Sequence, residues 1–220
     1  MNTLGSANYK KLISLLVLRA AMYSGHRRIE AAAFHRLVYF VNALAPIQKI
    51  ESETKQVAKA DYGLFLPDYQ RALDVLVGAG LVSIGDVAYG LKNGLFLGNY
   101  WISDDGLALA AEVESANHYF DNLALAINEI ISALISLGVH NNNDAHRYDA
   151  NFGQETIVSG KIVDFDQERA ENFSIDAARF LLDEWLKKRV SLGEYREQLE
   201  GTAIKLYSNY LRYATEVING

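Results

Sequence analysis

Residues 67–102 limit the possible folds of this chain more than any other segment. Pro67 suits the first turn of a helix, where its missing N–H has no partner to lose. Tyr69, Leu73, Leu76 and Val77 then recur at helical spacing. Gly78 and Gly80 loosen and end that helix, and Leu81-Val82-Ser83-Ile84 follows as a short strand. Gly85, Gly90, Asn93-Gly94 and Gly98 punctuate a turn region. Leu95-Phe96-Leu97 and Tyr100-Trp101-Ile102 supply a return strand rich in aromatic and aliphatic side chains. Ser103-Asp104-Asp105 is an N-cap signal for a further helix over residues 106–115.

Two helices precede this unit. Residues 9–24 place Leu12, Leu15, Leu16 and Leu18 on a broad apolar face, and Gly25 ends the helix. Residues 29–44 form the second, with Phe34, Leu37, Val38 and Val41 at helical spacing. Pro46 cannot continue it. Residues 48–60 are polar and read as a loop or a short helix. The order helix, helix, helix, hairpin, helix is that of a winged helix, in which the hairpin closes one side of a three-helix core. The expectation is a mainly α chain with a small β-hairpin: an N-terminal winged-helix domain over residues 1–115 and a C-terminal helical region over 116–220, the two packed together.

The second half reads as helix with one irregular insertion. Residues 117–137 carry Phe120, Leu123, Ala124, Ile127, Ile130, Ile131 and Leu134 on a helical face, and Gly138 ends it. Residues 138–165 form an irregular loop whose Asn141-Asn142-Asn143 suits a solvated turn. Residues 161–165 read as a short strand. Ser174 is the expected N-cap of a helix from 175 to about 190. Residues 194–218 form the last helix, with Leu199, Ile204, Leu206, Tyr207, Tyr210 and Leu211.

Composition excludes several classes of function. The chain has 220 residues and no cysteine, so it has no disulfide framework, thiolate metal site or cysteine nucleophile, and a reducing cytoplasm is its expected home. Arg19 interrupts the best apolar run, residues 12–21, so no membrane span is expected. Lys10 and Lys11 ahead of that run faintly suggest a signal peptide, but no cleavage-like boundary follows and the segment reads as the first helix. The net charge is −6. Residues 1–60 hold nine basic against three acidic side chains, a balance of +6 that leaves −12 for the rest. A basic end on an acidic body suits a protein that meets nucleic acid, or an acidic partner, through one region only.

No phosphate-cradling GxxxxGK loop, GxSxG elbow or HExxH pair occurs. His140, Asp144 and His146 come nearest to a metal cluster, but their spacing matches no standard zinc site and no metal or other cofactor is expected. His35 reads as a surface or boundary histidine rather than a base. Asp164 and Asp166 share a strand face that reads as solvent-facing. The third helix opens with Asp68, Tyr69, Gln70, Arg71 and Asp74, a poor match to phosphate. Any DNA contact, without sequence preference, falls to Arg27, Arg28, Lys49, Lys55 and Lys59, with Lys92 at the wing. Lys187-Lys188-Arg189 suits the negative end of a helix dipole. Thirteen tyrosines, among them Tyr207, Tyr210 and Tyr213 on the last helix, suit protein–protein contact as well as core edges.

Two stretches carry a family resemblance. FHRLVYFVNAL with ADYGLFLPDYQRALDVLVGAGLVSI, and YDANFGQETIVSGKIVDFDQERAENFSIDAARFLLDEW, together resemble the middle components of bacterial ABC-three-component systems, including the Lamassu middle subunit. The resemblance covers roughly residues 10–185. The first stretch also resembles the Panacea-type antitoxins, although Leu64 replaces the proline of their Tyr-Gly-Pro-Phe pattern. The first resemblance implies a non-enzymatic adaptor that links an SMC- or Rad50-like ATPase to a nuclease or other effector in antiviral or anti-plasmid defence, and it carries over no catalytic residue. The alternative is a free-standing winged-helix DNA-binding regulator or antitoxin, which a basic third helix and salt-dependent binding to one DNA sequence would distinguish.

Overall fold

Leu12, Ile13, Leu15, Leu16, Val17 and Leu18 are all buried in α1 (Ser6–Tyr23), so this helix is apolar nearly all the way round. Such a helix needs neighbours on every side. It finds them in α2 (Ala31–Leu44), α3 (Pro67–Gly78), α4 (Asp104–Ala116) and α5 (His118–Ser136). The computed structural model describes residues 5–52, 54, 56–58, 64–90, 95–141, 144–154, 161–164, 171–188 and 199–218. Among them lie seven α-helices and two small antiparallel sheets.

The larger sheet joins β1 (Ile29–Glu30), β3 (Val82–Gly90) and β4 (Leu95–Ile102) in the order β1-β4-β3. Ile29 pairs with Tyr100, and Val82 with Ile102. The hairpin of β3 and β4 is interrupted between Gly85 and Ala88, where Asp86 takes a left-handed φ of 52°. The second sheet pairs β2 (Gln56–Ala58) with β5 (Ile162–Asp164), Val57 lying opposite Val163. The remaining helices, α6 (Phe173–Lys187) and α7 (Leu199–Ile218), pack on each other, α6 also on α2 and α7 on α5. One hydrophobic core runs from Tyr9 in α1 to Leu211 in α7.

Caps and close approaches fix the joints. Ser103 accepts from Gly106 N at 3.0 Å and so caps α4, while its hydroxyl donates to Gly80 O at 2.8 Å. Asn117 alone separates α4 from α5, and its side chain caps α5 through Phe120 N. A Cβ at Gly106 would lie 2.1 Å from Leu81 O, so only glycine lets α4 lie against the start of the hairpin.

The helix, hairpin and further helix expected from residues 67–116 form. Gly85, Gly90 and Gly98, expected in a turn region, instead lie within the strands, so that β3 runs to Gly90, and α4 opens at Asp104. Four others differ. The second helix begins at Ala31 rather than 29, because Ile29 and Glu30 pair with the edge of β4. Part of the polar stretch after Pro46 is strand: residues 56–58 hydrogen-bond to a partner more than a hundred residues away. Ser174 is not the N-cap of α6: Asn172 is, accepting from Ile175 N, while Ser174 is used elsewhere. The described part of 138–154 is not a solvated loop but folds inward as short 3-10 turns, burying Val139, His140, Ala145, His146, Asp149, Asn151 and Phe152.

Candidate functional site

The most developed polar centre surrounds Asp149, which is 1% exposed. Burying a carboxylate is costly unless its lone pairs are satisfied. Tyr39 donates its hydroxyl to Oδ1, joined there by the backbone amides of Asn151 and Phe152, each at 3.0 Å. The hydroxyls of Ser174 and Tyr207 donate to Oδ2 at 2.6 and 2.8 Å. Burial and the Asp149 charge push both phenols well above the ordinary tyrosine range, which keeps them protonated as donors. A second layer extends the set. Asn151 Nδ2 donates to Asn172 Oδ1 and Ser174 Oγ, and Asn172 Nδ2 donates to Ala43 O. Gly153 closes the loop: a Cβ there would meet Arg147 O at 2.4 Å. This centre ties α2, the inward loop, α6 and α7 together and lies away from solvent, so its chemistry is that of a latch.

Its anchor on α7 adjoins an outward face. Tyr207 is fully buried, so of the three tyrosines expected to meet a partner it belongs to the interior and to Asp149. Tyr210 and Tyr213 do face solvent, 42% and 66% exposed, and Val217 extends their line at 58%. Tyr210 stacks on Tyr207 with ring centroids 5.8 Å apart, so the buried anchor orients the first exposed ring. The sequence reading missed Val217. Its spacing from Tyr213 and Tyr210 was the available signal.

Among the described residues, Arg27 and Arg28 lie at the start of the three-stranded sheet and Lys49 lies beside α7. Arg27 is exposed on the turn before β1. Arg28 lies over the Trp101 ring at 4.6 Å and 3.6 Å from Asp86, so part of its charge is met within the sheet. Lys49 holds a left-handed φ of 60° and lies 3.9 Å from Glu200, beside α7. Lys55, Lys59 and Lys92 lie outside the described residues, as does Asp166. On α3, Asp68 is paired with both Lys10 and Arg71.

His35, His140 and His146 are interior, against the boundary position expected for His35, while His26 is half-buried and His118 exposed. His35 is 2% exposed, sits against Phe65 and Phe34, and shares a 3.2 Å hydrogen bond with Gln70. Burial pulls its pKa down to about 4. His140 meets His26 at 3.2 Å between Nε2 and Nδ1, and Arg36 donates twice to the His140 carbonyl. Burial and the neighbouring His26 bring His140 down to about 4 as well. His146 packs its ring against Phe152. Among the described residues no three His, Asp or Glu side chains converge to hold a metal ion. Asp164 accepts from Gln56 across the small sheet at 2.6 Å.

An apolar groove of about 430 Å³ opens between α1, α3, α4 and α5, lined by Leu12, Leu15, Leu76, Leu109, Val113 and Phe120 among others. No helix among the described residues is long and apolar enough to cross a membrane. Comparison with protein-family models, with curated proteins and with solved structures finds no match to this chain.

Proposed function

We propose that this chain is a cytoplasmic, non-enzymatic adaptor with an N-terminal winged helix, linking an SMC- or Rad50-like ATPase to an effector such as a nuclease. The observation that carries the reading is the line of Tyr210, Tyr213 and Val217, exposed on a helix whose opposite face is held in the core by Tyr207 and Asp149. Aromatic side chains presented on a rigid element suit protein contact, since little conformational freedom is lost on binding. The β3–β4 hairpin after three helices, with β1 from between the first two paired to β4, supports the winged-helix part. The acidic, ion-paired start of α3 favours an adaptor over a sequence-reading regulator, because base readout would ask that helix to approach phosphates. Non-specific DNA contact, where it occurs, falls to Arg27, Arg28, Lys49, Lys55, Lys59 and Lys92.

Co-expression with the products of neighbouring genes tests the proposal. The expected result is co-purification with an ATPase, lost in Tyr213→Lys while the circular dichroism spectrum is unchanged. A chain that elutes alone beside a correctly folded ATPase would sink it.

A further inference from the structure

We propose that His26 and His140 form an open, two-imidazole site for a divalent cation of the Zn²⁺, Ni²⁺ and Cu²⁺ class.

His26 follows α1 and His140 lies in the 3-10 turn after α5, 114 residues further on. Their nitrogens nonetheless meet, His26 Nδ1 lying 3.2 Å from His140 Nε2. Two imidazole nitrogens bound to one tetrahedral zinc ion at about 2.05 Å lie about 3.3 Å from each other. The separation found here is therefore close to that of a chelating pair. The rings meet edge to face at an interplanar angle of 74°. A cation enters by a small opening of the His26 ring, which is half-buried, against the His140 ring, which is 2% exposed.

Both histidines are pinned through their backbones. Gly25 takes a left-handed φ of 90° after α1, and His26 N donates to Ala21 O at 2.9 Å. The His140 carbonyl accepts twice from Arg36, at 2.8 and 3.2 Å. Ligands held this way lose little freedom when an ion binds. Arg36 sets a positive charge beside His140, which Glu30 and Asp144 offset. The neighbours in sequence, Asp144 and His146, are not brought to His140: His146 packs on Phe152, and His26 takes the place beside His140.

The donor set decides the class of ion. Imidazole nitrogen suits Zn²⁺, Ni²⁺ and Cu²⁺, whereas Mg²⁺ and Ca²⁺ ask for oxygen. Two nitrogens leave the remaining positions to water. A neutral imidazole carries one ring proton. The proton between the rings moves, through water, to the far nitrogen of the same ring, so both facing nitrogens offer lone pairs and neither ring changes charge. An ion so held ties the turn between α1 and β1 to the inward loop that carries Asp149, and favours the folded chain by mass action.

Isothermal titration of the untagged full chain with copper, zinc, nickel and magnesium chlorides tests this. The expected result is one saturable ion per chain, Cu²⁺ tighter than Zn²⁺ or Ni²⁺, and no binding of Mg²⁺. His26→Gln should weaken Cu²⁺ binding by more than about tenfold, since even a change behind a ligand costs that much, with an unchanged far-ultraviolet spectrum. His118→Gln, at an exposed histidine of α5, should leave binding as it was. In the unaltered chain, sub-stoichiometric Ni²⁺ should broaden the imidazole resonances of His26 and His140 before that of His118. No saturable binding of any of the three ions overturns the proposal. So does binding that His26→Gln leaves intact, or broadening that falls first on His118. Neither result bears on the adaptor reading, which the site does not rest on.

Discussion

Tyr207 donates its hydroxyl to Asp149 Oδ2 at 2.8 Å, across 58 residues of chain. The same oxygen takes the Ser174 hydroxyl, and Tyr39 reaches Oδ1 from α2. One carboxylate thus holds three helices. Asp149→Ala strands several buried donors at once and should lower unfolding free energy by about 3 kcal/mol or more, read by urea denaturation. Tyr207→Phe removes one donor and should lower it by about 1–2 kcal/mol. Equal stability of Asp149→Ala and the parent would count against the latch.

Arg19 in α1 is 3% exposed and donates to Glu114 of α4 at 2.6 Å. Removing the acid leaves a guanidinium in the core. Glu114→Ala should therefore cost about 3 kcal/mol. The joint replacement Arg19→Met with Glu114→Leu should cost much less, because no charge is left without its partner. Thermal melts of the three proteins decide this.

Acidification should destabilise the fold between the ordinary histidine range and pH 4. His35 and His140 are held near 4 in the folded chain. Unfolded, they bind protons from about pH 6.5 downward. In that window the unfolded state holds more protons, so stability falls as pH falls, by up to about 1.4 kcal/mol per pH unit for His35. Denaturation series at pH 7 and pH 5 should differ in midpoint, and the gap should narrow in His35→Gln.

Gly106→Ala improves intrinsic helix propensity in α4, yet its Cβ would lie 2.1 Å from Leu81 O. The clash is with backbone, which cannot step aside cheaply. The variant should lose about 1–3 kcal/mol, visible as a lowered melting temperature. A rise in melting temperature would mean that α4 does not rest on the hairpin as described.

Much of this fold was legible because its signals are local. Pro67 and the glycines after Val77 bound α3, and Ser103 and Asn117 lie where caps are needed. What escaped depends on distant partners. Two-residue β1 shows no periodicity, and β2 is a strand only because residues 162–164 come to meet it. The Asp149 centre was hidden for a further reason. Asp, Asn and Gly build solvated turns and buried ones alike, so Asp149-Ala150-Asn151-Phe152-Gly153 reads as surface until Tyr39, Ser174 and Tyr207 are brought to it. Tyr207 looked like its neighbours on α7, and only the turn of the helix that faces Asp149 separates it from Tyr210 and Tyr213.

The setting of α1 bears on how the molecule is made. Its apolar surface is shared among α2, α3, α4 and α5, and α5 ends at Ser136. A ribosome delivering this chain in order exposes the first two helices long before their last wall has been synthesised. Nascent chains stalled before residue 136 should stay open to protease and engage hydrophobe-binding chaperones, and the protection expected of a settled core should arrive only once α5 has left the exit tunnel.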